Sequence, residues 1–264
     1  MPRLAANLSM LFKEVGFLER FAAARKAGFR AVEYQYPYEF APQDVAAAAR
    51  DAGVQVVLHN APRGDAARGE HGTACLHGRE ARFRDDLERA VAYAAAAGCA
   101  SLHCLAGVIP AGAEGAQLQA TYVANLRYAA KRLARESMRL LIEPLSPATA
   151  TNYFLHGSAQ AVRVLDEVAA DNAFLQYDVF HMQLLEGNLA RTIARLLPRI
   201  GHMQIADAPG RNEPGSGEVN FDFLLPHVDA LGYAGWIGCE YNPQGDTVEG
   251  LKWARSYLNR GSAR

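Results

Sequence analysis

The sequence predicts an α/β protein, a (β/α)8 TIM barrel that takes up residues 1–264 as one domain. Three observations carry that expectation. A helix rich in alanine, a glycine and a short apolar strand recur as a unit along the chain. The units number about eight, as a barrel of this kind requires. The later strands end in oxygen-bearing side chains spaced by roughly one barrel unit of about 30 residues. A length of 264 residues suits one such domain, and with 50% hydrophobic residues the chain can build a large core.

The recurring unit appears as Ala27-Gly28 before Ala31-Val32-Glu33-Tyr34 and as Ala52-Gly53 before the strand ending in His59. It returns as Ala97-Gly98 before Ser101-Leu102-His103-Cys104, and as Leu231-Gly232 before the strand ending in Glu240. Glycine just past a helix accepts the left-handed conformation that stops it, so the next strand begins at once. Repeated helix-glycine-strand units imply parallel strands joined by right-handed crossovers.

Strands are expected at 3–8, 30–34, 54–59, 100–104, 139–143, 173–178, 200–206 and 235–240. Helices are expected near 15–27, 42–52, 80–97, 115–136, 157–170, 188–197, 220–230 and 246–258. The third is the clearest, because Phe83, Leu87, Ala90, Val91 and Ala94 form one apolar stripe. Its other face carries Glu80 with Arg84, Arg82 with Asp86 and Asp85 with Arg89, pairs that mark a solvated surface. An open doubly wound sheet is the competing architecture, but no glycine-rich phosphate loop follows the first strand.

Composition narrows the function. The net charge is -1 with acids and bases interspersed, which argues against nucleic acid or an anionic membrane as partner. No apolar run reaches the length of a membrane span, and the opening residues lack a signal peptide's apolar core. Cys75, Cys99, Cys104 and Cys239 form no CxxC pair, so buried free thiols in a reducing cytoplasm are expected. Apolar positions on the outer helices serve core and subunit contact equally well, so a homo-oligomer is compatible with the sequence.

Chemistry is expected where the strands end. Arg139-Leu140-Leu141-Ile142-Glu143-Pro144 reads as a buried strand running into a carboxylate and then a proline. Asp178, Gln204 and Glu240 end the next three strands in the same way. Alternation puts Leu141 with Glu143, Gln176 with Asp178, His202 with Gln204 and Gly238 with Glu240 on common faces. The turns after strands three, four and seven are long and rich in glycine or proline, and they share that rim. Three carboxylates aimed at one volume repel one another unless a positive charge sits among them. A divalent cation answers this, and an all-oxygen donor set suits Mg2+ or Mn2+ better than zinc. Any one of the four alone would read as an ordinary strand-end polar group; four in register do not.

Glu143, Asp178-Val179-Phe180-His181-Met182, His202-Met203-Gln204-Ile205-Ala206-Asp207 and Gly238-Cys239-Glu240-Tyr241 resemble the metal-site motifs of the xylose-isomerase-like barrels. Within these, the chain resembles the hydroxypyruvate isomerase family over essentially its whole length. Asn7-Leu8-Ser9-Met10-Leu11-Phe12, Leu58-His59-Asn60 and Glu213-Pro214-Gly215-Ser216-Gly217-Glu218 add to the likeness. The resemblance implies that Glu143, Asp178, Gln204 and Glu240 bind the divalent metal, and that Glu143 and Glu240 also carry protons. It departs from the ketose 3-epimerases, which have histidine where this chain has Gln204. Those enzymes also have a second glutamate where this chain offers only Ser146, Thr149 and Thr151. The implied substrate is therefore a small 2-oxo or hydroxy acid.

Four further residues are candidates for substrate contact. The resemblance gives His181 a substrate hydroxyl. Arg211, in the seventh loop, suits the substrate carboxylate because guanidinium meets carboxylate bidentately. His59 and Asn60 end strand three on the same rim, whereas His103 reads as a core histidine and the direction of Glu33 stays open. Tyr34, Tyr36 and Tyr38 read as loop packing, and Trp236 as barrel interior below the metal. The rival functions are a 2-oxo-tetronate isomerase or ketose 3-epimerase on the same scaffold. More distant are a metal-dependent endonuclease, which needs a basic track and more histidines, and a sugar-acid binder without turnover.

Overall fold

A computed structural model describes residues 1–65, 67 and 69–258; Ala66, Arg68 and residues 259–264 of the expected domain lie outside it. Eight parallel strands close into a barrel in sequence order. They are β1 (Arg3–Asn7), β2 (Ala31–Tyr34), β3 (Gln55–Asn60), β4 (Ser101–His103), β5 (Arg139–Ile142), β6 (Ala173–Asp178), β7 (Ile200–Ile205) and β8 (Trp236–Cys239). Closure is made by β1 against β8, with Ala5 opposite Gly238. The helices are α1 (Arg20–Lys26), α2 (Pro42–Ala52), α3 (Glu80–Ala97), α4 (Gly115–Ala134) and α5 (Gly157–Val168). They continue as α6 (Val179–Leu185), α7 (Leu189–Leu196), α8 (Phe221–Ala230), α9 (Thr247–Gly250) and α10 (Arg255–Leu258). Among the described residues no helix is long and apolar enough to cross a membrane.

The helix-stopping glycines act as expected: Gly53 and Gly98 cap α2 and α3 in the left-handed conformation at φ 65° and 64°. Three helical regions differ in detail. Residues 15–27 split into a 3-10 turn at Phe17–Glu19 and then α1. Residues 246–258 become α9, a 3-10 turn at Leu251–Ala254 and α10. An additional helix, α6, starts at once after β6, because the Asp178 carboxylate accepts from Phe180 N–H at 2.8 Å and caps it.

The core has two parts. The larger lies between barrel and helices and takes in Phe21, Leu87, Leu126, Val164 and Ile193. The smaller fills the barrel interior with Ala5, Ala31, Val57, Leu58 and Leu141, and Phe174 and Trp236 pack against it. The four cysteines are buried free thiols. The seventh loop is tied down: Asp207 accepts from the backbone N–H groups of Ala208, Gly215, Gly217 and Val219 at 2.8–3.0 Å.

Candidate active site

Glu143 follows β5, Asp178 ends β6 and Glu240 follows β8, so the three carboxylates meet at the carboxyl end of the barrel, all buried. Arg211 reaches in among them from the β7–α8 loop. Its Nη2 lies 2.7 Å from Glu240 Oε2 and 3.4 Å from Asp178 Oδ2. Its backbone sits at φ 55°, held by Asn242 N–H donating to its carbonyl at 2.8 Å. The positive charge that the carboxylates require is therefore partly supplied by the chain itself. Burial opposes the guanidinium charge, but Glu240, Asp178 and Glu143 outweigh it and keep Arg211 protonated.

The two glutamates are held differently. Glu240 Oε1 accepts from Gln35 at 2.9 Å and Asn7 at 3.2 Å, while Oε2 meets Arg211. Glu143 Oε2 accepts from Gln176 at 3.0 Å, and its Oε1 is buried with no hydrogen-bond partner among the described residues, the His181 Nε2 standing 4.0 Å away. Burial, then the charges of Glu240 and Asp178, push the Glu143 carboxyl well above the usual range. Burial raises Glu240 to about 7 against the pull of Arg211.

Below them lies a polar layer that strand ends alone do not reveal. Gln204 Nε2 donates to Glu33 Oε1 at 2.8 Å, and its Oε1 accepts from Gln176 at 2.6 Å. Its amide orientation is thereby fixed, with the carbonyl oxygen on the Glu143 side. Glu33 also accepts from Asn7 at 2.9 Å and faces His202 Nε2 at 2.6 Å. Gly238 gives Glu33 its room, since a Cβ there would lie 2.3 Å from both carboxylate oxygens. The sequence signal for this layer was the run of polar residues facing inward on otherwise apolar strands, Glu33, Gln176 and His202.

Glu143, Asp178 and His181 each offer one ligand atom, all within 4.8 Å of one another, and together can hold a metal ion. Gln204 and Glu240 border this group, joined to it through Gln176 and Arg211. Ser146 N–H donates to His181 Nδ1 at 3.2 Å, so the neutral ring carries its proton on Nε2. That nitrogen faces Asp178 Oδ2 at 3.5 Å. Burial depresses the His181 ring to about 4, which keeps it neutral.

A cavity of about 110 Å³ opens onto these groups, lined by Glu143, Glu240, His181, Arg211 and Asn60 among others. Asn60 and Tyr36 line it as rim residues. His59 does not. It is turned outward against Tyr34, ring centroids 5.7 Å apart, and its Nδ1 meets the Asn60 carbonyl at 3.2 Å. His103, read from sequence as a core histidine, lines the cavity, with Nδ1 3.2 Å from Asn60 Oδ1 and 3.5 Å from Glu143 Oε2. β4 ends at His103 rather than one residue later, and that placement brings the ring to the rim.

Known proteins match this arrangement along nearly the whole chain. Hydroxypyruvate isomerase of Escherichia coli K12 is 45% identical over 257 residues, covering 97% of this chain and all of that one. 2-Oxo-tetronate isomerase of Cupriavidus necator is 46% identical over 260 residues, covering 98% of this chain and all of that one. A crystal structure from Brucella melitensis described as AP endonuclease, family 2, superimposes with a TM-score of 0.96 at 41% identity, covering 98% of this chain and 100% of that one. The family model for the xylose isomerase-like TIM barrel matches residues 21–257. With the closed barrel and these relatives together, the chain belongs to the xylose isomerase-like TIM barrel family.

Proposed function

We propose that this protein is a metal-dependent isomerase interconverting hydroxypyruvate and tartronate semialdehyde. The observation that carries the proposal is the placement of two buried carboxylates, Glu143 and Glu240, on one small cavity, with Glu143 Oε1 left without a hydrogen-bond partner among the described residues. The two acids differ in the position of one hydrogen and in which oxygen is the carbonyl. Removing a C3 proton leaves its electron pair in a C2–C3 double bond and the negative charge on the C2 oxygen. Delivering a proton to C2 and moving the hydroxyl proton from the C3 oxygen to the C2 oxygen completes the exchange.

Glu143 and Glu240 remove and return the carbon-bound proton, each held within a fixed set of hydrogen bonds. His181 Nε2–H donates to a substrate oxygen, a role its tautomer favours over metal ligation. Arg211 stands beside Glu240 where negative charge on the substrate oxygens can be met. Gln176 orients both Glu143 and the Gln204 carbonyl. A divalent cation fits this donor set, because Glu143 Oε1 is a buried oxygen without a hydrogen-bond partner among the described residues, Asp178 offers an oxygen within 4.8 Å of Glu143, and the Gln204 carbonyl shares the Gln176 amide with Glu143. Glu143, Asp178, Gln204 and Glu240 would hold it, and Mg2+ or Mn2+ suits their oxygen atoms; when bound it supplies Lewis-acid stabilisation of the enediolate charge.

The same chemistry on a four-carbon acid is the second reading, favoured by relatives named 2-oxo-tetronate isomerase at 42–46% identity beside 45% for the Escherichia coli hydroxypyruvate isomerase. A nuclease function, as named for the Brucella protein, has little support in a chain of net charge -1 without a basic track. The test is NMR of hydroxypyruvate in D2O, with and without chelator, alongside the four-carbon acid. Metal-dependent deuterium incorporation and product formation are expected; no exchange with either acid would overturn the proposal.

A further inference from the structure

We infer that Arg63, on the loop between β3 and α3, with His71 beside it, forms the subsite that takes the carboxylate of the acid substrate. This deepens the isomerase proposal above and rests on it for the identity of the acid. The sequence alone put that role on Arg211. In the structure Arg211 is committed to Glu240 and Asp178. Glu143, Asp178 and Glu240 carry three negative charges when ionised, which one guanidinium and one divalent ion only neutralise. The reaction centre then carries no net positive charge to draw in a further anion, so a substrate carboxylate is better met by a second cation elsewhere in the cavity.

Arg63 is that cation. It lines the same cavity as Glu143, Glu240, His181 and Arg211. Among the described residues its guanidinium makes no ion pair and no hydrogen bond; it lies over the Tyr36 ring face, with Cζ 5.1 Å from the centroid. A guanidinium laid on an aromatic face keeps its N–H edge free for a carboxylate, which it meets through two parallel bonds. His71 lines the cavity too, half-buried, and its burial together with the Arg63 charge disfavours the protonated ring. It therefore meets a carboxylate as a neutral N–H donor.

The loop is braced in a way that fixes where Arg63 stands. Gly72 N–H donates to the Arg63 carbonyl at 2.7 Å, and Gly72 bridges to Ala106 on the β4 loop. The two loops approach so closely that a Cβ at Gly72 would sit 2.3 Å from the Leu105 carbonyl oxygen. Cys75 N–H adds a bond to the Ala106 carbonyl at 2.8 Å. With the carboxylate on Arg63 and the reacting carbons near the two glutamates, the site selects acids over neutral ketoses of the same length.

The test compares wild type, Arg63→Gln and Arg63→Lys on hydroxypyruvate and on dihydroxyacetone, which has a hydroxymethyl group in place of the carboxylate. Calorimetric binding of glycerate, an unreactive acid of the same length, is measured in parallel with Mn2+ affinity. Arg63→Gln is expected to raise KM for hydroxypyruvate and weaken glycerate by about ten- to a hundredfold. The effect should fall on KM more than on kcat and on the acid more than on dihydroxyacetone, with Arg63→Lys intermediate. Unchanged glycerate affinity in Arg63→Gln, or no glycerate binding by wild type, overturns the subsite. Glycerate binding that depends on Arg63 in a wild type without turnover keeps the subsite and removes the isomerase proposal instead.

Discussion

The carboxylate of Glu33 fills the space above Gly238, where a Cβ would lie 2.3 Å from each of its oxygens. Glu33 cannot swing aside, because Asn7, Gln204 and His202 hold it within the barrel interior. Gly238→Ala is therefore expected to cost about 1–3 kcal/mol of stability, the range for overpacking a filled core. It should also reduce turnover, because Gln204 hangs from the displaced carboxylate. Urea midpoints and kcat of the variant check this; a stability equal to wild type would mean that Glu33 does not occupy that space.

Glu143 and Glu240 line one cavity, and Arg211 joins Glu240 to Asp178 there. Glu143→Gln and Glu240→Gln keep shape and lose the proton-carrying oxygen. Each is expected to lower kcat by about 100- to 10,000-fold and to suppress deuterium exchange into substrate. Thermal melts near wild type would show that the loss is chemical. Near-normal exchange in both variants would remove the proton-transfer assignment.

The barrel was legible in the sequence because helix-stopping glycines such as Gly53 and Gly98 punctuate it at strand starts. Glu143, Asp178 and Glu240 stood out because each follows an apolar run, where a polar residue has little reason to be except at the rim. The layer of Glu33, Gln176 and His202 was harder. β2 and β7 lie far apart in sequence and on the wheel, and only closure brings Glu33 against His202 at 2.6 Å. Strand alternation also failed locally. The pairing of β2 with β3 slips between Val32 and Glu33, so that Val56 and then Leu58 are the partners. Facing rules counted along β3 therefore cannot tell which of His59 and Asn60 points inward. α6 was hidden because Asp178 both ends a strand and caps the helix that follows.

His59 offers a test away from the chemistry. It is fully buried on the outer side of the barrel, and burial depresses it to about 4, only partly offset by the Asn60 carbonyl. The unfolded chain takes up the proton near the ordinary value of 6.5, so stability is lost as pH falls from 6.5 through about 4. The loss attributable to this one ring is on the order of 2–4 kcal/mol. His59→Phe keeps the stack on Tyr34 and should flatten the urea-midpoint profile across that window. KM for hydroxypyruvate should stay at the wild-type value; a rise would return His59 to the substrate contacts.

Glu240 titrates in the opposite sense. Its carboxyl is raised by burial to about 7 from an ordinary 4.5, so between these values the folded chain binds the proton that the unfolded chain has released. Its contribution to stability is complete below 4.5 and is lost as pH rises through about 7. In chelator, wild type should therefore weaken relative to Glu240→Gln as pH climbs through that window. A divalent cation beside the carboxylate favours its ionised form and should reverse the trend. Paired denaturation curves at pH 5 and pH 8, with chelator and with Mg2+ or Mn2+, read both effects. A wild-type minus Glu240→Gln difference that ignores the metal would place the cation away from Glu240, and the proposed quartet of ligands would lose a member.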